Sequence, residues 1–195
     1  EDARGTYFFN SKDLCLLPHL PDVIESGIDS LKIEGRMRSV HYVASVTKTY
    51  RAAIDAYDRD PAKFAVQPDW LAELEKVSHR AYTAGFFYGA QGAENQIYEN
   101  AAYRQTTVFI GVVEAYDPAT GWAAVEQRNH MRVGEEIEVL QPTEDTFRQP
   151  LEEMRDDVGR ALTAAPHPQQ KVRIKMRQPV AVGAILRRPI EKEAK

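Results

Sequence analysis

Residues 171–177 read Lys-Val-Arg-Ile-Lys-Met-Arg, a cation and an apolar side chain in strict alternation. Only an extended strand sends successive side chains to opposite faces. Val172, Ile174 and Met176 therefore share one side, and Lys171, Arg173, Lys175 and Arg177 the other. A one-residue slip would bury four cations without partners, which is prohibitive. The apolar side must face a core, and the neighbouring sequence supplies the strands to build it. Val108–Val113 is an apolar run. Asp117-Pro118-Ala119-Thr120-Gly121 is a turn, and Trp122–Gln127 returns from it. Val133–Leu140 is a turn feeding a further alternating strand, and Ala184–Arg187 is the last. Short strands separated by turn signals predict a small closed antiparallel β-barrel over residues 105–190. Its predicted core is Val108, Ile110, Val112, Val125, Ile137, Val139, Val172, Ile174, Val182 and Ile185.

The preceding residues have another texture. Thr6–Asn10 reads as a β-prone run behind Gly5. A helix is expected over Leu20–Ser26, with Pro21 in its first turn, Gly27 at C′, and Leu20, Val23 and Ile24 on one face. Ser30–Ile33 reads as a short strand. The clearest helix is Ser39–Tyr57, capped by Ser39 and stopped by Asp60-Pro61. Val40, Val43, Ala44, Thr47, Tyr50, Ile54 and Tyr57 fall on its three-and-four spacing. Pro68-Asp69 opens a shorter helix carrying Trp70, Leu71, Leu74 and Val77. Tyr82–Gly89 is irregular and aromatic, Gly92–Tyr103 reads as linker, and Glu191–Lys195 is expected to be disordered. The division is thus 1–60 strand–helix units, 61–104 a bridging segment and 105–190 the barrel. One strand–helix–strand–helix run would leave a parallel sheet with open edges. Residues 1–60 therefore read either as part of a two-layer domain completed by 61–104, or as the last units of a larger α/β barrel. The start Glu1-Asp2-Ala3-Arg4, without Met, suits a piece of a longer protein.

Charge and cysteine content bound the chemistry. A formal net charge of −4 over 195 residues excludes a uniformly basic nucleic-acid coat but not a basic face. No apolar stretch approaches the roughly 20 residues of a transmembrane helix. One cysteine, Cys15, excludes an internal disulfide framework and a site made only of this chain's thiolates. No serine triad, HExxH, phosphate loop or dinucleotide fingerprint appears.

On pattern alone, Cys15 between Leu14 and Leu16 reads as a buried small hydrophobe. Glu34 and Arg36 read as a surface ion pair at a strand end, and Arg38 and His41 as the solvent side of the long helix. Ser78-His79-Arg80 reads as a helix end with a satisfied histidine, and Phe86-Phe87-Tyr88 as core between domains. Cys15 and Glu34/Arg36 each follow an expected strand. In an α/β barrel the loops after strands open on one face, so both segments would meet at one mouth. Same-face side chains of a strand lie about 7 Å apart, comparable with phosphate spacing along a nucleic-acid strand. Lys171, Arg173, Lys175 and Arg177 are therefore either an RNA-binding stripe, a charge-protected edge, or partners for the acid-rich Glu135–Glu138 and Glu152–Asp157 segments.

The segments Asn10-Ser11-Lys12-Asp13-Leu14-Cys15, Leu31-Lys32-Ile33-Glu34-Gly35-Arg36-Met37-Arg38-Ser39 and Tyr42-Val43-Ala44 resemble peptidase family U-32, the collagenase-like peptidases. Ser78-His79-Arg80 and Thr83–Gly89 look like the same family. The tail looks like its C-terminal domain, a small barrel similar to the second domain of translation elongation factors. The resemblance implies an α+β chain: the last strand–helix units of an α/β barrel followed by that antiparallel barrel.

The same resemblance implies a cytoplasmic, prephenate-dependent and oxygen-independent hydroxylase of tRNA uridine in the full-length protein. An older label implies a peptidase, and a third possibility makes the barrel a protein-interaction module. Cys15 matches the last of four cysteines that hold a four-iron four-sulfur cluster. Its three partners are absent from this sequence, so this chain alone is expected to bind no cluster and to be inert. Glu34, Arg36 and Arg38 match the barrel-mouth motif, where arginine suits the two carboxylates of prephenate.

Overall fold

The computed structural model describes residues 11–90, 92, 97 and 103–190. The expected strand at Thr6–Asn10, most of the 92–103 segment and the tail at 191–195 lie outside them. The chain forms two compact units, residues 1–105 and 106–195.

In the first unit, strand β1 (Asp13–Leu14) leads through a 3₁₀ turn into helix α1 (Leu20–Glu25). Gly27 ends this stretch at φ +80°, the left-handed conformation that favours glycine there. Helix α2 (Val40–Arg59) starts at Ser39, whose hydroxyl accepts the Tyr42 N–H. Helix α3 (Pro68–Leu74) has Pro68 in its first turn, where the missing N–H costs nothing. Strand β2 (Tyr82–Thr83) then pairs in parallel with β1, Asp13 opposite Tyr82 and Leu14 opposite Thr83. The core gathers Cys15, Leu17, Leu20, Val46, Ala53, Leu74 and Val77.

Three sequence expectations fail in this unit. Ser30–Ile33 is not a strand, because a strand is defined by its ladder and no described segment pairs with it. Helix α2 buries a different stripe from the expected one. His41, Ser45, Val46, Thr49 and Ala53 are buried, whereas Val40 and Val43 are exposed. Small side chains let α2 approach its neighbours closely, while Thr47, Tyr50, Ile54 and Tyr57 line a cavity instead. His41 is accordingly inside, not on the solvent side. Phe86, Phe87 and Tyr88 are 80%, 37% and 59% exposed and do not join the core of this unit.

The second unit runs β3 (Thr107–Asp117), β4 (Trp122–Gln127), β5 (Met131–Arg132), β6 (Glu136–Leu140), β7 (Phe147–Pro150), β8 (Met154–Arg155), β9 (Ala161–Leu162), β10 (Ala164–Ala165), β11 (Lys171–Lys175) and β12 (Ile185–Pro189). The main sheet is antiparallel and curls in the order β7-β6-β12-β3-β4-β11-β8-β9, with β10 pairing β5 separately. A side chain links the edge strand β7 to the end of β11. Gln149 on β7, itself buried, donates from Nε2 to the Lys175 carbonyl at 3.0 Å and accepts the Arg177 N–H at 3.0 Å through Oε1.

Inside lie Ile110, Val125, Ile137, Val139, Val172, Ile174 and Met176, as the alternation requires. Val182 is the exception in the predicted core: it is 65% exposed, in a turn before β12. Val112 is only half-buried. At Gly111 the strands approach so closely that a Cβ would sit 2.7 Å from Val125 Cγ1 and 3.1 Å from the Glu126 carbonyl oxygen.

Candidate functional site

The first unit contains a cavity of about 1050 Å³, lined in part by Asp13, Cys15, Glu34, Arg38, Tyr50 and Arg80. Its organising group is Asp13. Its carboxylate accepts the Arg80 backbone N–H at 3.0 Å, Arg80 Nε at 2.9 Å and an Arg80 terminal nitrogen at 2.8 Å. Arg38 donates to the same carboxylate at 3.1 Å and to the Ser78 carbonyl at 3.2 Å. Burial alone pushes the Asp13 carboxyl up, but the Arg80 backbone and guanidinium, with Arg38, outweigh it and hold the group below the usual carboxylate range. Arg38 also lies over the Tyr42 and Tyr103 rings, at 5.2 and 5.1 Å from their centroids.

Cys15 follows β1 directly and is buried. Its Sγ sits 3.8 Å from the Tyr50 hydroxyl, which also accepts the Leu16 N–H at 3.0 Å. Burial pushes the thiol up from its ordinary range, and does the same to the Tyr50 and Tyr82 hydroxyls. Glu34 lines the cavity and accepts the Arg36 N–H at 2.9 Å through Oε1. The structure thus brings Cys15, Glu34 and Arg38 to one cavity, and Arg36 is not among its lining residues. Arg36 is exposed, and among the described residues its guanidinium has no ion-pair partner. His79 is buried as expected of a satisfied histidine. Nδ1 lies 2.6 Å from the Arg80 carbonyl, Nε2 lies 3.1 Å from Glu75 Oε2, and the ring stacks on Tyr82 at 4.3 Å.

Asp13 was not a candidate on sequence alone. The available signal was an acid at 13, an arginine at 38 and another at 80, each beside a segment already singled out. Nothing in their spacing shows that one carboxylate takes both guanidinium groups.

No described group of three or more His, Cys, Asp or Glu side chains is placed to hold a metal ion. A four-iron cluster takes four thiolates, and this chain has one cysteine. The residues present do not by themselves fit that group.

On the barrel, the four cations of the stripe differ. Lys171 ion-pairs with Glu114 and, at 2.7 Å, with Glu126, which faces it across β4–β11. These hydrogen bonds, the Glu114 one first, push the Lys171 ammonium up, and the Lys171 bond holds Glu126 down. Arg177 donates to Glu152 at 2.6 Å, which pushes Arg177 up and Glu152 down. Lys175 donates to the Thr120 carbonyl at 2.6 Å. Arg173 is exposed and faces Ala124 on one side and Arg155 on the other. The next cations along the chain are paired as well, Arg187 fully buried against Glu138 and Arg188 against Glu135.

The sequence profile described as Peptidase family U32 matches residues 1–97, and that described as Peptidase family U32 C-terminal domain matches residues 105–187. A Bacillus subtilis (strain 168) protein named tRNA hydroxylation protein P1 is 41% identical over 188 residues, 96% of this chain and 44% of its own length. The Escherichia coli (strain K12) tRNA hydroxylation protein P is 36% identical over 85% of this chain and 36% of its own length. A Porphyromonas gingivalis (strain ATCC BAA-308 / W83) protein named Collagenase is 29% identical over 79% of this chain and 37% of its own. A crystal structure of the C-terminal domain of a Geobacillus thermoleovorans putative U32 peptidase is 41% identical, covering 42% of this chain and 92% of that one, with a TM-score of 0.41. The chain spans less than half the length of these curated relatives.

Proposed function

The chain belongs to peptidase family U32, and from that premise we propose that it is part of a protein that hydroxylates a tRNA uridine in the cytoplasm, with prephenate as co-substrate and the barrel in contact with the RNA. The observation that carries this reading is the 41% identity, over 96% of the chain, to a protein named for tRNA hydroxylation. Cys15 serves as one thiolate of a four-iron cluster whose other ligands come from outside this chain. A four-iron cluster supplies one-electron chemistry when bound.

The geometry divides the barrel-mouth residues. Arg38 is committed to Asp13 and the Ser78 carbonyl, so its role is to position. Arg36, with a free guanidinium among the described residues, is the group for a substrate carboxylate. Glu34 holds the Arg36 backbone in place. On the barrel, the stripe Lys171, Arg173, Lys175 and Arg177 faces the RNA backbone.

The test is nucleoside mass spectrometry of tRNA from cells lacking the full-length protein. Hydroxylated uridine should vanish, return with the wild-type gene, and fail to return with Arg36→Ala or in cells blocked in prephenate synthesis. Unchanged uridine hydroxylation, together with gelatin cleavage by the purified full-length protein, would replace this reading by the peptidase one.

A further inference from the structure

The two ends of the basic stripe are neutralised, and its middle is not. Lys171 is held between Glu114 and Glu126, and Arg177 by Glu152. Between them, among the described residues, Arg173 has no ion-pair partner and Lys175 donates to a backbone carbonyl rather than to a carboxylate. The cross-strand register sets Lys175 opposite Trp122 and Arg173 opposite both Ala124 and Arg155. Trp122 is half-buried on the outer face, with the Arg155 guanidinium 4.7 Å and the Lys175 ammonium 5.8 Å from its ring centroid.

Beside this cluster is a pocket of about 400 Å³ lined by Tyr116, Trp122, Ala124 and Arg173, with Thr120 and Asp117 at its turn end. The Asp117 carboxylate is occupied by the Ala119 N–H at 3.0 Å and the Thr120 hydroxyl at 2.5 Å. Glu153 reaches Arg155 only at 3.5 Å between two exposed side chains, too loosely to cancel it.

Two cations at an aromatic ring, and a third lining a pocket the size of a small ligand beside it, have a definite chemical complement. The partner carries a flat ring to stack on the indole and an anion to meet Arg173. An unpaired nucleotide carries both, and stacking on an aromatic ring is how single strands are held without sequence readout. We infer that the Trp122–Arg173 pocket is where an unpaired nucleotide of the RNA strand docks, its base on Trp122 and its phosphate on Arg173 and Lys175. This rests on the tRNA reading above and narrows it. Lys171 and Arg177 add little, because their charges are already spent on carboxylates.

The experiment uses this 195-residue chain. Trp70 and Trp122 are its two tryptophans, so Trp70→Phe leaves Trp122 as the sole indole emitter. Titrating oligouridylate or tRNA into that variant should quench the emission. Fluorescence anisotropy with labelled tRNA should show Trp122→Ala binding about tenfold more weakly or worse, with Trp122→Phe close to wild type. Arg173→Gln should reduce the slope of log affinity against log salt by about one, and Lys171→Gln should leave it nearly unchanged. Quenching in the otherwise native chain keeps the test valid if Trp122→Ala fails to fold.

Unquenched Trp122 with tRNA bound, or an equal loss from Lys171→Gln and Arg173→Gln, would overturn the pocket and leave the broader tRNA reading standing. Quenching by oligouridylate without binding of tRNA would keep the pocket and sink the tRNA reading. Stronger quenching by an acidic peptide than by oligouridylate would make this a protein-binding surface and overturn the proposal.

Discussion

Gln149 offers the sharpest test of how the barrel is closed. Its side chain links β7 to the backbone just after Lys175 through two hydrogen bonds, each 3.0 Å long. Replacing it with alanine removes both bonds, worth about 0.5–1.5 kcal/mol each, and leaves the Arg177 N–H and the Lys175 carbonyl without this partner. Loss of a buried amide's packing adds to this, for a total of about 2–4 kcal/mol. For a unit of this size, each kcal/mol moves the melting temperature by about 4–8 °C, so the fall should be roughly 8–30 °C. Trp122 emission in the Trp70→Phe background follows the barrel through thermal unfolding. Amide exchange at Arg177 reports the seam itself and should accelerate in Gln149→Ala well before global unfolding. Gln149→Asn, one methylene shorter, should recover little. A Gln149→Ala melting temperature within about 3 °C of wild type, with Arg177 still protected, would show that the seam does not depend on this side chain.

Three further outcomes are expected. The Asp13 carboxyl is held below its ordinary value in the folded unit, so its stabilisation is complete above the unfolded value of about 3.9 and is lost as pH falls through the lower folded value; Asp13→Asn should flatten this acid limb, read from Trp70 emission in a Trp122→Phe background. Cys15 is buried with its thiol pushed up, so a thiol reagent at neutral pH should label it at least about tenfold more slowly in native protein than in urea. Gly111→Ala should cost about 1–3 kcal/mol, measured by urea unfolding, because the new methyl meets Val125 and the Glu126 backbone.

The sequence was most informative where a single local rule decided the outcome. Lys171–Lys175 emerges as a strand because alternation leaves no other placement for its charges, and Trp122–Gln127 because the Asp117–Gly121 turn sends the chain back beside the preceding apolar run. Helix α2 begins at its predicted cap because Ser39 can accept a backbone N–H and stops at Asp60-Pro61 because proline cannot continue it. Its buried face was not legible, since Ser45, Thr49 and Ala53 are chosen by how closely other elements approach, not by hydrophobicity. The same limit applies to the stripe. Four cations look equivalent in sequence, yet Glu126 stands opposite Lys171 and Trp122 opposite Lys175 only through the β4–β11 register. At the cavity, Cys15 and Glu34 were visible as motif residues, while Asp13 emerged only when segments distant in sequence came together.

That carboxylate also closes two chain loops of unequal cost. Asp13 takes one guanidinium from 25 residues away and another from 67 residues away. Closing the longer loop costs about 0.9 kcal/mol more chain entropy than closing the shorter one, from the logarithmic dependence of closure on length. The Arg38 contact is therefore the cheaper to make from an unfolded chain. It shortens the remaining path for Arg80, which arrives together with the parallel β1–β2 pair because Tyr82 sits opposite Asp13. The two arginines thus differ in what their contacts with one carboxylate cost the chain: Arg38 closes the shorter loop and Arg80 the longer.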